Sequence, residues 1–221
     1  MGDPLLDLQL RGLAHHGTPV LHDVALQLAR GDTLALVGPS GVGKSSLLRV
    51  IAGIDTGQNA ACTLRGTCAM VFQEPTLLPW RTVADNIRVT TGADAAAIER
   101  ALADVGLDGR GPDFPSQLSL GQQRRLSLAR AFAVRPDLLL LDEPFVSLDA
   151  DLVEEMMALF AQLRAQHGVA TILVTHVREE AQKLANRIVT LGGSPATITS
   201  DVQIDGAYFQ LSASGVTSSR S

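Results

Sequence analysis

Three short apolar stretches open the chain, Leu5 to Leu10, Val20 to Leu28 and Thr33 to Val37, with Gly17 and Gly31 marking turns between them. In Val24-Ala-Leu26-Gln-Leu28-Ala the large apolar residues fall on alternate positions, so half-buried strands forming an antiparallel edge are expected. Gly12-Leu-Ala-His15-His16-Gly17, between the first two stretches, reads as a solvated loop. The period then changes. Leu47, Leu48, Val50 and Ile51 recur with helical spacing, and Gly53 is placed to end that helix. Residues 54–69 are polar, small and irregular, with room for one hairpin, and Ala69-Met-Val-Phe72 reads as a buried strand.

The second half alternates between helical and strand patterns. Residues 83–118 are alanine-rich with helical spacing from Asp94 to Val105, then loosen through Gly109, Gly111, Pro112 and Pro115. A capped helix is expected from Ser119 through Phe132. Leu138 to Leu141, four consecutive leucines, suits a strand buried on both faces of a parallel sheet. Further on come an amphipathic helix through Met156, Leu159 and Leu163, a buried strand at Val169 to Val174, a helix at Glu179 to Ala185 and a strand at Arg187 to Leu191. Residues 192–221 carry Gly192-Gly193, a hairpin pattern through Ile198 and Val202 to Ile204, and a serine-rich end expected to fray.

Composition narrows the functional classes. The chain has 221 residues, 46% hydrophobic and 19% charged, with a formal net charge of -5. That is a globular balance, and dispersed arginines on an acidic chain argue against nucleic-acid binding. No apolar run approaches bilayer length, and Met-Gly-Asp-Pro-Leu-Leu-Asp lacks the order of a signal peptide, so a cytosolic chain is expected. Cys62 and Cys68 lack further ligands at metal spacing and are assigned no role.

The clearest chemistry lies at Gly38-Pro39-Ser40-Gly41-Val42-Gly43-Lys44-Ser45, followed by Ser46. An apolar stretch precedes it and a helix follows, which is the context a phosphate-binding loop needs. Glycines admit phosphate oxygens close to the backbone, the helix N-terminus supplies positive potential, Lys44 adds a charge, and Ser45 offers a hydroxyl to Mg²⁺. Gln73 and His176 each follow a predicted strand, at the end where ligands bind in open α/β sheets. Asp142 and Glu143 end the leucine strand, a costly place for two acids unless they serve a metal or a reaction. Asp142 is the candidate for Mg²⁺ and Glu143 for polarising the attacking water. Glu74 to Arg81 contains two prolines, yet also Leu77, Leu78 and the single tryptophan, Trp80. Apolar side chains on a loop beside a candidate site residue point to partner docking.

In order, Gly38 to Ser45, Gln73, Ser119-Leu-Gly121-Gln122, Asp142-Glu143, Ser147-Leu-Asp149 and His176 closely resemble the ATP-binding cassette ATPases of ABC transporters. The resemblance covers about residues 5–193. It implies an α/β P-loop NTPase with a RecA-like core, an antiparallel β edge and a small helical signature subdomain, at about 83–135, within a domain spanning 1–193. Residues 194–221 are then a short, partly disordered extension. ATP and Mg²⁺ are the implied cofactors. Gln73 becomes a catalytic and Mg²⁺-sensing glutamine, His176 the histidine that steadies the γ-phosphate, and Ser119, Gly121 and Gln122 the signature that binds the ATP held by an opposing subunit, with Asp149 in the same interface. The chain departs from the family in carrying Leu120 where a glycine is usual, and in placing His16, with His15 beside it, where an aromatic residue stacks on adenine.

Val71 to Val83 looks most like importers of nitrate, aliphatic sulfonates, taurine and similar solutes. The partners so implied are a transmembrane permease docking near Leu77, Leu78 and Trp80, a second cassette subunit forming a homodimer, and indirectly a solute-binding protein. The location implied is peripheral, on the cytoplasmic face of the inner membrane. A stand-alone soluble cassette ATPase is the alternative reading. A non-hydrolysing regulatory subunit is disfavoured by the presence of Lys44, Asp142, Glu143 and His176 together.

Overall fold

The structure is a computed structural model that describes residues 3–55 and 60–204. In chain order its elements are β1 (Leu6–His15), β2 (Thr18–Leu28), β3 (Thr33–Val37), α1 (Lys44–Ile51), β4 (Ala60–Leu64), β5 (Cys68–Val71), α2 (Val83–Thr91), α3 (Ala95–Asp104), α4 (Leu120–Ala133), β6 (Leu138–Asp142), α5 (Ala150–His167), β7 (Ala170–Val174), α6 (Arg178–Leu184), β8 (Arg187–Gly193) and β9 (Ala196–Gln203). They fall into two compact units, one from residues 1–65 and 170–221, the other from 66–169.

In the first unit the strands run in the order β4-β1-β2-β9-β8-β3-β7. β3 pairs in parallel with β8 and with β7, every residue of which is buried, while β4, β1 and β2 form the antiparallel edge. Val24, Leu26 and Leu28 are buried and the residues between them exposed, as the alternation requires. α6 lays Ala181 and Ala185 on Ala35 of β3; the small side chains permit close helix-to-strand approach.

Two expectations are corrected here. β1 does not stop at Leu10 but runs on to His15, because buried Leu13 pairs with Leu21 and a register shift after Leu13 bends the ribbon. The stretch read as irregular with room for one hairpin contains β4, which pairs not within the stretch but with β1, from Leu6↔Leu64 to Leu10↔Ala60. Its side chains are mostly exposed, so it has no apolar face for a pattern to display. The hairpin pattern after Gly192-Gly193 is met: β9 pairs antiparallel with β8 and also meets β2 at Leu21↔Ala196. The serine-rich end expected to fray, from 205 onward, lies outside the described residues.

In the second unit β5 and β6 pair in parallel, Cys68↔Leu138 to Val71↔Leu141, and every residue of β6 is buried. α2, α3 and α4 follow β5, with the glycine- and proline-bearing stretch 105–119 between α3 and α4. α4 begins where the sequence places it, with Ser119 as its N-cap and Gln122 completing a capping box.

Candidate functional site

The first unit carries the phosphate-loop residues. β3 ends at Val37, α1 begins at Lys44, and Gly38, Gly41 and Gly43 between them all have positive φ, 148°, 77° and 107°. A Cβ on Gly38 would lie 2.5 Å from the Leu191 carbonyl oxygen, and one on Gly43 would lie 2.8 and 2.9 Å from Leu21 and Val20 side-chain carbons. Only glycine fits either place. Pro39, Ser40 and Gly41 are exposed, while Val42, Ser45 and Ser46 are half-buried. Lys44 is 4% exposed, and its Nζ donates to the Gly38 and Pro39 carbonyls, each at 2.9 Å, holding the ammonium against the loop's own backbone. α1 starts at Lys44 directly behind this loop, and the positive potential of a helix N-terminus suits the loop to anionic oxygens.

The two histidines behave differently. His16 lies exposed in the β1–β2 turn with φ 50°, whereas the half-buried His15 places Nε2 2.9 Å from the hydroxyl oxygen of Ser46 on α1. His176 is exposed just beyond β7. Buried Thr175 precedes it, donating from Oγ1 to the Glu180 carboxylate on α6 and accepting from the Val177 N–H at 3.0 Å. That pair of bonds fixes the turn on which His176 sits.

The second unit carries the remaining residues. Gln73 is exposed just beyond β5. Asp142, the last residue of β6, is only 7% exposed, and Glu143 follows it half-buried with φ 46°. Positive φ also occurs at Ser147, so the turn after β6 holds two non-glycine residues in a region that usually costs energy. Asp149 caps α5 by accepting from the Leu152 N–H at 3.0 Å. Ser119 Oγ accepts from the Gln122 N–H at 3.2 Å, and Gln122 Oε1 accepts from the Ser119 N–H at 2.9 Å. A Cβ on Gly121 would meet the Leu152 side chain at 3.0 Å, so glycine permits the α4–α5 approach, while Leu120 is 45% exposed at the first helical position.

In the segment after Gln73, Leu77 and Leu78 are half-buried and Trp80 is 70% exposed. Buried Asn86 on α2 accepts from the Leu78 N–H at 2.7 Å and donates to the Leu78 and Thr82 carbonyls at 3.1 and 2.9 Å. Nothing in the sequence pattern singles out Asn86, although a fully buried amide inside a helix is the kind of residue that holds a loop.

Among the described residues no three or more His, Cys, Asp or Glu side chains gather into a cluster that could hold a metal alone. Asp142 in the second unit offers a nearly buried carboxylate and Ser45 in the first a half-buried hydroxyl, each the kind of oxygen donor that Mg²⁺ takes. Cys62 is exposed on β4, and partial desolvation, with Asp7 nearby, raises its thiol above the ordinary value. Among the described residues no helix is long and apolar enough to cross a membrane.

Comparison with known proteins gives three concordant results. The ABC transporter family model matches residues 21–146. Over 215 residues the chain is 40% identical to the aliphatic sulfonates import ATP-binding protein SsuB 2 of Burkholderia cenocepacia, covering 92% of this chain and 80% of that protein. It is 43% identical over 211 residues to the corresponding SsuB 1 of Rhodococcus jostii, covering 92% of this chain and 85% of that one. Among solved structures, an ATP-binding cassette in a dimeric post-hydrolysis state with ADP and Pi superposes with a TM-score of 0.79 at 25% identity, covering 91% of this chain and 99% of that chain. The α/β P-loop NTPase expectation is thereby met.

Proposed function

Because the chain belongs to the ABC transporter family and is an ATPase of that family, we propose that it energises import of a small organic anion, aliphatic sulfonates being the class named for its relatives. The observation that carries this reading is the loop from Gly38 to Lys44, where no side chain fits at Gly38 or Gly43 and a lysine is held against the backbone. Gly38 to Ser46 take the ATP phosphates. Ser45 and Asp142 hold Mg²⁺, which when bound offsets the charge of the transferred phosphate. Glu143 orients and polarises the attacking water, with Gln73 and His176 placed to sense and steady the γ-phosphate. His16 contacts the adenine, and Ser119, Gly121 and Gln122 serve the nucleotide of a second copy of the chain.

The partner is a separate transmembrane permease that receives Leu77, Leu78 and Trp80, on the cytoplasmic face of the cell membrane, with a solute-binding protein acting beyond it. A soluble segment that keeps a tryptophan 70% exposed supports such a partner. Purification of the tagged chain from its own membranes tests the proposal. Recovery of a polytopic permease supports import. Recovery from the soluble fraction alone transfers support to a stand-alone cassette ATPase.

A further inference from the structure

α4 presents residues 124, 127 and 130 on one face, at successive three-residue spacing, and all three donate to the backbone of the segment that follows β5. The Arg124 guanidinium donates to the Gln73 carbonyl. Ser127 Oγ donates to the Pro75 carbonyl at 2.8 Å, and Arg130 donates to the Pro75 and Thr76 carbonyls at 3.1 and 2.9 Å. No helix or strand includes residues 72–82, so this comb supplies backbone partners that a ladder would otherwise provide.

Arg124 alone among the three reaches a second segment. Its other terminal nitrogen donates to the Val146 carbonyl at 3.2 Å, in the turn between Glu143 and the α5 cap. One side chain, 6% exposed, therefore joins the backbone beside Gln73 to the backbone beside Glu143. Its surroundings are apolar: Val71, Leu128, Leu141, Phe145 and Phe160 line the small cavity it borders. Its Nε has no hydrogen-bond partner, and burial pushes the guanidinium below its ordinary value despite the attraction of Glu74. An apolar side chain of similar volume is often at least as stabilising as a buried charge, so packing alone does not call for an arginine here.

We propose that Arg124 is a positioning residue for hydrolysis, tying the Gln73 and Val146 carbonyls so that the segment leading to Trp80 and the turn carrying Glu143 shift together. The inference rests on the assignment of Gln73 and Glu143 to the reaction. A forked guanidinium spans two carbonyls, and a lysine ammonium cannot reproduce that geometry. Ser127 and Arg130 hold the first segment only, which makes them the internal control.

The test uses the purified chain and its variants Arg124→Lys, Arg124→Met, Ser127→Ala and Arg130→Met, followed by steady-state ATPase kinetics, binding of a fluorescent ATP analogue and emission of the single tryptophan. Both Arg124 variants are expected to lose kcat about tenfold or more while KM and analogue affinity stay within about twofold, since a misplacement near 1 Å costs rates of that order. The Trp80 emission change on adding MgATP is expected in the wild type and in Glu143→Gln, and to vanish in Arg124→Lys. Ser127→Ala and Arg130→Met are expected to keep kcat within about threefold even where they lower the melting temperature. Wild-type kcat in Arg124→Lys, an intact Trp80 response, losses in the control variants as large as those at Arg124, or failure of Arg124→Lys to fold would each overturn the proposal. Unimpaired hydrolysis by Glu143→Gln would instead remove the reading on which it rests.

Discussion

Ser119 is asked to do two things, cap α4 and contact a nucleotide phosphate, and substitution can separate them. Ser119→Ala removes the acceptor for the Gln122 N–H while leaving the return bond from Gln122 to the Ser119 N–H in place. Loss of one N-cap acceptor costs about 1 kcal/mol. For a chain of this size that lowers the melting temperature by about 2–4 °C. Ser119→Asp restores the acceptor, ranks with serine as a cap and adds a favourable charge at the helix N-terminus, so its melting temperature should stay within about 1 °C of the wild type. The same charge repels a phosphate, so turnover should fall about tenfold or more, a loss of about 1.4 kcal/mol in transition-state binding. The assays are differential scanning calorimetry and steady-state ATPase on all three proteins. Wild-type turnover in Ser119→Asp would reduce Ser119 to a cap, and an unshifted melt in Ser119→Ala would refute the capping argument itself.

Three further outcomes follow from the geometry. Lys44→Ala should weaken ATP binding about tenfold to a hundredfold, the value of one charged hydrogen bond, as read by titration with a fluorescent analogue. Glu143→Gln should nearly abolish turnover and, with MgATP, should shift the chain to a dimer by light scattering; full hydrolysis would remove Glu143 from its role. The third concerns pH. Arg187 donates from Nε and Nη2 to the two Asp201 oxygens at 2.7 and 2.6 Å, and these bonds hold the Asp201 carboxyl below its ordinary value, with burial opposing in part. A depressed native value means that the unfolded chain binds more protons in the intervening window. The pair therefore contributes above the ordinary carboxylate range and loses its contribution as pH falls through the native value. Asp201→Asn should flatten that acid limb below about pH 4, with a total effect of about 1 kcal/mol or less for so exposed a pair.

What the sequence made legible is what depends on near neighbours. The capping box at Ser119 and Gln122 is closed by residues three apart, and the glycines from Gly38 to Gly43 sit where the backbone itself is left-handed, so residue type and spacing report both. Leu138 to Leu141 reads correctly because burial on both faces leaves four leucines in a row. β4 could not be read this way. It is held by backbone pairing to β1 with its side chains outward, and a backbone ladder imposes no residue type. The same reason hides the partners of His15 and Arg124. Whether β1 continues to His15 depends on a register shift that no spacing records, and one residue decides which histidine faces Ser46. Arg124 is a harder case, since its acceptors are carbonyls 51 residues back and 22 residues on, and every residue in the chain offers a carbonyl. The trace left in the sequence is the arginine itself, set in α4 three residues before buried Ser127 and four before buried Leu128, on the same face. Neighbours of that kind imply that the arginine is buried too, and burial of so costly a charge implies acceptors that only the folded chain identifies.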